Sequence, residues 1–319
     1  ALVGASAPLQ NIADMRTDGW ELSVGWRDQI GDLGYRLNLN VYDHKSKITK
    51  FNNLSGSIDN YYVGKALNSI YGYRADGYYS IDDFDMEKAK VGTWVLKEGV
   101  VSVSGYSVQP GDVKFKDLDG NGVIDAGGST LENPGDREII GNSTSRYQFG
   151  GNLGVSWKGL DLNVLLQGVG KRDYWLGGAA LFPFGAAGAD GVFWPLYYNQ
   201  TDYWSAVSYD PQSPDYMVAK NPDAKLFRVY GQDGNAGSNA RVSDKYIQNA
   251  AYLRVKNVTL SYSFPSSLLR KVALDQLRLY VSVENLATFT SLPKGYDPES
   301  LSWSYPFYRT WSVGASITF

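Results

Sequence analysis

The sequence predicts an all-β chain whose antiparallel strands form part of a transmembrane β-barrel with long external loops. Apolar and polar residues alternate in seven segments, as they do in strands that have one apolar face. Trp or Tyr stands at an end of several of these apolar faces, which is typical of the aromatic girdles of lipid-facing strands. Short and long connections also alternate along the chain, as they do at the two ends of such barrels.

Each of the seven segments shows the two-residue period of a strand. WELSVGW and YRLNLNVY put Trp, Tyr, Leu and Val on one face and mostly charged or amide side chains on the other. YQFGGNLGVSW and LDLNVLLQGVG repeat the pattern and are joined by a short connection. YLRVKNVTLSYSF alternates until Lys256–Asn257, where a one-residue slip predicts a β-bulge. With LRLYVSVENL and TWSVGASITF, the predicted strands begin at Trp20, Tyr35, Tyr147, Leu160, Tyr252, Leu277 and Thr310.

Three long connections, at about 45–146, 171–250 and 291–308, are expected on the external side of the membrane. This orientation places the C-terminus in the periplasm. Seven strands are too few for a large barrel, and single-chain bacterial barrels usually have an even number. Residues 1–319 are therefore predicted to be the C-terminal portion of a larger barrel in a bacterial outer membrane.

A soluble β-sandwich would show the same alternation, so two other classes of protein stay open. One is a secreted, calcium-stabilised β-sandwich such as a carbohydrate-binding module, and the other is a β-rich glycoside hydrolase. A barrel exposes the apolar face of its strands to lipid, whereas a sandwich buries that face. The residues that distinguish the two folds are Leu37, Leu162, Val164, Leu279, Val281, Val313 and Ile317.

The composition limits the chemistry available to the 319-residue chain. It has no cysteine and one histidine, His44, so a cysteine nucleophile, a zinc enzyme and a histidine-based triad are not expected. The net charge of −3 provides no basic field for a nucleic acid. Asp82, Asp83 and Asp85 lie close together, but adjacent carboxylates in a polar loop more often cap helices or are solvated than catalyse. The sequence therefore predicts that the protein is not an enzyme.

The segment KDLDGNGVIDAGG, residues 116–128, has the spacing of a calcium-binding loop. The expected oxygen ligands are Asp117, Asp119, Asn121, the carbonyl of Val123, and Asp125. Gly122 occupies the position of the sharp turn, but the last position, which normally supplies a carboxylate, is Gly128. Because Asp, Asn and Gly also favour turns, the alternative is a turn-rich loop that binds no ion.

The last strand is expected to contain a signal for membrane insertion. It ends on Phe319, which lies on the same apolar face as Trp311. An aromatic residue at the end of the last strand of an outer-membrane barrel is read by the insertion machinery. We therefore expect Trp311 and Phe319 to belong to such a signal.

Eight motifs stand in order along nearly the whole chain. They are MRTDGWELSVGW, YRLNLNVYDHKSKI, PGDVKFKDLDGNGVID, DREIIGNSTSRYQFGGNLGVSWKGLDLNVLLQGVGKRDYW, YLRVKNVTLSYSFPSSLL, LRLYVSVENLATFT, KGYDPE and YPFYRTWSVGASITF. Together they resemble the SusC-like branch (RagA/SusC family) of TonB-dependent outer-membrane transporters of Bacteroidetes. The resemblance implies a barrel of about 22 strands around an N-terminal plug.

The resemblance also implies a function and partners. Such transporters import oligosaccharides, or less often peptides, with energy supplied through TonB, and a SusD-like lipoprotein closes them from outside. The plug and the TonB box are not found in this sequence. The implied partners are therefore the SusD-like lipoprotein, the remaining plug and barrel segments, TonB through those segments, and outer-membrane lipid.

The resemblance further implies a replacement for the missing calcium ligand. In SusC-like proteins the aspartate-rich loop runs into a D-R-x-x-I-G tail, and DREIIG begins here at Asp136. GGSTLENP and its neighbours are then an insertion of eight residues. Asp136 is expected to supply the last ligand of a structural Ca²⁺ site, with Glu132 as the rival donor.

An aromatic stretch at residues 173–204 is expected on the external side and is too apolar to be left in water. It is expected to pack against the SusD-like lid. Packing within the loops and stacking on sugar rings are the alternatives. The candidate contact residues are Tyr174, Trp175, Phe193, Trp194, Tyr203 and Trp204.

Overall fold

The computed structural model describes residues 11–177, 200–230, 235–301 and 307–319. The strands are β1 (Ala13–Ile30), β2 (Leu33–Phe51), β3 (Ser69–Tyr73), β4 (Ala75–Tyr78), β5 (Ser102–Val103), β6 (Val113–Phe115), β7 (Val123–Ile124), β8 (Arg137–Asn142), β9 (Arg146–Trp157), β10 (Leu160–Lys171), β11 (Asp173–Trp175), β12 (Ile247–Asn249), β13 (Tyr252–Ser263), β14 (Gln276–Thr290) and β15 (Thr310–Thr318). Helix α1 spans Met86–Lys90 and helix α2 spans Ser266–Leu269. Single 3₁₀ turns lie at Ile81–Asp83, Asn235–Ser238, Asp244–Tyr246 and Arg270–Val272.

The seven long strands form one sheet in the order β1-β2-β9-β10-β13-β14-β15. Neighbours in this sheet follow one another along the chain when the short strands of the long connections are left out. The pairs from β2 to β15 are antiparallel. Lys158 and Gly159 form the turn between β9 and β10 with φ of 46° and 89°, as a two-residue hairpin turn requires. The predicted antiparallel fold and its seven strands are confirmed.

Apolar side chains on one face of this sheet are exposed in a row that crosses five strands. The register places side by side Val155, Leu162, Leu260, Val281 and Val313. Each of them is between 37% and 81% exposed. Of the seven residues chosen to distinguish a barrel from a sandwich, five are exposed and Leu37 and Val164 are half-buried. A sandwich is therefore the wrong fold, because no second layer of described residues covers this face, as in a sheet that faces lipid.

The predicted bulge is present in β13. The pairing of β13 with β14 shifts between Val255 and Asn257, and its pairing with β10 shifts at the same level. Lys256 has no paired residue in the ladder with β10 or in the ladder with β14. An extra residue in one strand re-aims the side chains that follow it, which is why the apolar alternation of the sequence slips by one position here.

The chain divides into two compact units. The sheet unit comprises Thr17–Lys45, Ser143–Tyr174 and Gln248–Phe319, and the loop unit comprises Ala1–Arg16, Ser46–Asn142 and Trp175–Ile247. Among the described residues, no helix has the length and apolar character that crossing a membrane requires.

The loop unit has its own apolar core, which positions the aspartate-rich loop. Its buried members are Tyr73, Tyr79, Phe84, Val103, Val108, Val113, Phe115, Ile124, Leu226, Phe227, Tyr230 and Tyr246. Three small sheets, β3–β8, β4–β6 and β5–β7, border this core. Phe115 ends β6 and Ile124 ends β7, so both flanks of residues 116–123 are anchored in the core.

Candidate functional site

Three carboxylates of the aspartate-rich loop converge. Oxygen atoms of Asp117, Asp119 and Asp136 all lie within 4.8 Å of one another. Asp117 follows β6, and Asp136 immediately precedes β8, so the chain returns to this point after a long excursion. Asp119 is exposed, Asp117 is half-buried and Asp136 is fully buried, which makes this cluster a shallow site with one face open to solvent.

The Asp136 carboxylate holds both ends of the loop. Its Oδ1 accepts a hydrogen bond from the backbone N–H of Leu118 at 2.7 Å, and its Oδ2 accepts one from the N–H of Asp125 at 2.8 Å. These bonds leave further lone pairs on both oxygens, because a carboxylate offers about four acceptor sites. Asp136 can therefore fix the loop and face a cation at once.

Residues 126–135 form a closed excursion between Asp125 and Asp136. The N–H of Asp136 donates to the carbonyl of Asp125 at 3.2 Å, so the chain leaves and returns at almost the same point. Gly127 and Gly135 close the excursion in the left-handed region, with φ of 52° and 60°. A Cβ on Gly135 would lie 2.4 Å from the nitrogen of Gly127, so only glycine permits this approach. The geometry is that of an insertion that leaves the two ends of the loop adjacent.

The remaining polar groups of the loop form successive turns. Asp117 accepts from the N–H groups of Gly122 and Gly120, which hold the pKa of its carboxyl below the usual range. Asp119 Oδ1 accepts from the N–H of Asn121, whose own Oδ1 accepts from the N–H of Val123. Such turns are expected with or without an ion, so the turn-only alternative is compatible with the same backbone.

The donor set fits a hard cation. Ligand oxygens at 2.3–2.6 Å from a Ca²⁺ ion can be at most about 5 Å apart, and the three clustered carboxylates meet this limit. Asp125 is not a member of the cluster, and its Oδ1 instead accepts from the N–H of Gly127 at 2.6 Å. The turn that begins the excursion engages this carboxylate, so the structure does not place it with Asp117, Asp119 and Asp136, and its part as a ligand stays a prediction.

The aromatic candidates have different surroundings. Trp204 is 2% exposed and packs in a second apolar cluster of the loop unit. Trp175 and Tyr203 are half-buried against the main core, while Tyr174 packs against a small cluster of the sheet unit and lies 6.5 Å from the ring of Tyr296. Phe193 and Trp194 lie outside the described residues. The indole of Trp204 is enclosed by its own chain, which leaves almost none of its surface for a lid or a substrate to contact.

Asp83 and Asp85 serve local structure. Asp83 Oδ2 accepts from the N–H of Ser80, and Asp85 caps α1 by accepting from the N–H groups of Glu87 and Lys88. These bonds account for two carboxylates of the SIDDFD segment in the way the sequence favours, without a catalytic role.

Trp311 of β15 and Phe319, the residue directly after that strand, are exposed. Trp311 is 65% exposed, and Phe319 is 86% exposed. Their role in membrane insertion stays a prediction.

Two polar clusters were not anticipated. One surrounds the buried Asp112 of the loop unit, and the other surrounds the buried Arg254 of β13. The sequence shows the charged residues of the second cluster but not their pairing: Arg254 stands on the polar face of a predicted strand, and the KGYDPE motif supplies two carboxylates. Strand periodicity alone gives no reason to join residues that are 43 positions apart.

Comparison with known proteins adds an independent line of evidence. No family model matches the chain. It is 28% identical to TonB-dependent receptor P3 of Formosa agariphila, over 99% of this chain and 30% of that protein. It is 24% identical to TonB-dependent receptor SusC of Bacteroides thetaiotaomicron, over 97% of this chain and 27% of that protein. The chain thus spans less than a third of the length of these relatives.

Solved structures show the same fold. The RagAB peptide transporter matches the whole of this chain and 31% of its own chain, with a TM-score of 0.62 and 20% identity. The RagAB peptide importer in the 'open-open' state matches with a TM-score of 0.58. Over nearly its whole length the chain is therefore similar to TonB-dependent receptors, SusC among them, and it has the antiparallel fold of the matching part of the RagAB structure.

Proposed function

We propose that the chain is the C-terminal portion of a TonB-dependent importer in a bacterial outer membrane. The observation that supports this most directly is similarity to receptors, including SusC, over 97–99% of the chain. The exposed apolar row of the sheet supports a membrane location, since such a face is unfavourable in water. The relatives are named as receptors, which agrees with the expectation that the protein is not an enzyme.

The substrate is proposed to be an oligosaccharide or a peptide, taken up together with a SusD-like lipoprotein. RagAB is described as a peptide transporter, but at 20% identity this similarity supports the fold alone. The proposed orientation places the long connections outside and the C-terminus in the periplasm. The missing plug and barrel segments, and contact with TonB, belong to the rest of the protein.

An in-frame deletion of the full-length gene tests this function. The deletion strain is grown on a panel of single oligosaccharides and on a panel of peptides as the only carbon source. We expect growth to be lost on one panel and restored by the intact gene, and a strain without TonB to fail on the same panel. Growth equal to wild type on both panels would contradict the importer.

A pull-down identifies the partner in the same strain. Tagged full-length receptor is purified from outer membranes, and its associated proteins are identified by mass spectrometry. A stoichiometric surface lipoprotein is expected. Recovery of the receptor without any lipoprotein would contradict the proposed lipoprotein lid but not the proposed import function.

We also propose that Asp117, Asp119 and Asp136 hold a structural Ca²⁺ ion with further oxygens of the loop, namely Asn121 and the carbonyl of Val123. The support is electrostatic, because three carboxylates within 4.8 Å repel one another and a divalent cation relieves that repulsion. Oxygen-only ligands favour a hard cation over zinc. The ion would keep an external connection ordered.

A further inference from the structure

Two cations project from the polar face of β13 beside its bulge. Arg254 lies on the polar face of β13, and it is only 1% exposed although it carries a charge. Its Nε donates to Thr288 Oγ1, on the neighbouring strand β14, at 2.9 Å. Lys256 lies two residues after Arg254, so the two side chains project to the same side of the strand, and they share a carboxylate partner. Lys256 is also the unpaired residue of the bulge, so the two cations lie where the strand ladder is interrupted.

Residues 291–301, which follow β14, bring two carboxylates to these cations. Asp297 Oδ2 lies 2.5 Å from Arg254 Nη2. Glu299 lies 3.1 Å from both Lys256 Nζ and Arg254 Nη1, the latter an ion pair without the alignment of a hydrogen bond. We call these four residues the acidic clamp. Its charges balance, so it can be enclosed without leaving a lone charge in a low-dielectric site.

An aromatic ring lies against the cations of the clamp, and apolar contacts hold the two ends of the segment. The ring of Phe307 lies 5.1 Å from the guanidinium of Arg254 and 5.5 Å from Lys256 Nζ. Leu292 and Leu301, at the two ends of residues 291–301, pack together with Ala250 in a small buried cluster. The segment is therefore fastened at its middle by charge and at its ends by apolar contact.

The other side of the same connection is also fixed. Asn285 of β14 adopts a left-handed conformation, with φ of 50°, at the level of the bulge. Its Nδ2 donates to the carbonyl of Tyr308 at 3.1 Å. A charged cluster of this size cannot face lipid, whereas the opposite face of the sheet is the exposed apolar one. The clamp thus marks the face that points to the interior of a barrel.

We propose that the acidic clamp fastens residues 291–301 to the inner wall as a fixed part of the solute path, not as a lid that opens during transport. The role in the solute path rests on the proposed import function, but the experiment below does not require that function. A buried arginine with three polar partners is costly to release, because each partner would lose a charged bond in a site that water cannot enter freely. A solute entering the barrel then passes beside this segment, which narrows the interior along β13 and β14.

Digestion of the full-length receptor in detergent tests the proposal. Glutamyl endopeptidase cuts after Glu299 only if the segment leaves the wall, and hydrogen exchange of residues 291–301 reports the same event. We expect wild type to resist cleavage and Arg254→Gln to be cut at least tenfold faster. Arg278→Gln is the matched control, because Arg278 lies on the same polar face and bonds to Ser261, outside the clamp.

Folding of each variant is checked by its electrophoretic shift on heating. If Arg254→Gln does not fold, Lys256→Gln and Asp297→Asn, which remove one partner each, replace it and are expected to increase cleavage. Rapid exchange of residues 291–301 in wild type, or folded clamp variants that resist cleavage as wild type does, would overturn the proposal. Neither readout requires uptake, so failure of the import function would not be mistaken for failure of the clamp.

Discussion

Asp112 is fully buried in the loop unit, where it joins distant parts of the chain. Its carboxylate accepts from the Tyr230 hydroxyl, from Asn239 Nδ2 at 3.0 Å and from the N–H of Gln109 at 2.8 Å. Burial raises its pKa to about 6, because loss of water outweighs these hydrogen bonds. A carboxyl placed in this way makes stability depend on pH near neutrality.

The expected pH dependence follows from the direction of the shift. Because the folded pKa is raised, the contribution of Asp112 is complete below about pH 4 and is lost as the pH rises through 6. A shift of about two units corresponds to about 3 kcal/mol. We therefore expect the exchange protection of residues 109–113 in the full-length receptor, corrected for intrinsic rates, to fall about 100-fold between pH 4 and pH 7.

The Asp112→Asn variant removes the titrating carboxyl group but keeps the shape of the side chain. The variant is less stable overall, because its amide cannot accept at both positions, but it should lose most of this pH dependence. Asp82→Asn, at an exposed carboxylate in the same unit, should keep the wild-type profile. An Asp112→Asn profile as steep as wild type would show that another group titrates.

At the scale of the element, the aspartate-rich loop depends on its excursion. Gly127 and Gly135 bring the two ends of the excursion together, and the N–H of Asp136 then bonds to the carbonyl of Asp125. Asp136 consequently lies beside Asp117 and Asp119 despite the residues inserted between them. The excursion therefore brings together the three carboxylates that we propose as calcium ligands.

Asp119→Asn tests the ion with little damage to the loop. Asp119 is exposed, and its carboxylate bonds only with Asn121 among the described hydrogen bonds, so an amide of the same shape should leave the fold intact. Calcium titration of the full-length receptor, followed by thermal stability, should give a dissociation constant of about 10⁻⁴–10⁻³ M for wild type. The variant should bind at least tenfold more weakly.

Asp125→Asn is the matched control, because Asp125 lies in the same loop but outside the carboxylate cluster. It should keep the calcium response. If calcium stabilises neither wild type nor the control, the loop consists of turns only and the proposed calcium site is wrong.

At the scale of the whole molecule, the described sheet has two unpaired edges. β1 and β15 each have one neighbour in the described sheet, and long unpaired edges normally recruit further strands. The relatives are more than three times as long as the part that this chain matches. Both observations fit the proposal that additional strands complete the barrel around this segment.

Neighbouring residues of β15 test which face meets lipid. Val313 belongs to the exposed apolar row, whereas Ser312 points to the opposite face. Val313→Lys in the full-length receptor should cost about 2–4 kcal/mol near the middle of the bilayer, and the amount of folded receptor in the outer membrane should fall severalfold. Ser312→Lys should be tolerated. Equal losses from both variants would show that lipid does not distinguish the two faces.

The sequence by itself determined the local features of this protein. Strand positions follow from a two-residue period that neighbouring residues impose, and the slip at Lys256 revealed the bulge for the same reason. The spacing from Asp117 to Asp125 also predicts a polar, turn-rich loop without knowledge of the fold, because short side chains bond to nearby backbone groups.

Only the tertiary structure decided which distant residues meet. The resemblance to SusC-like proteins suggested that Asp136 returns to the loop, but its position beside Asp117 depends on how the excursion closes. Burial of Trp204 and pairing of Arg254 with Asp297 had no local signal. Such contacts depend on the path of the chain through its long connections, and a periodic pattern records which face a residue occupies but not what is packed against it.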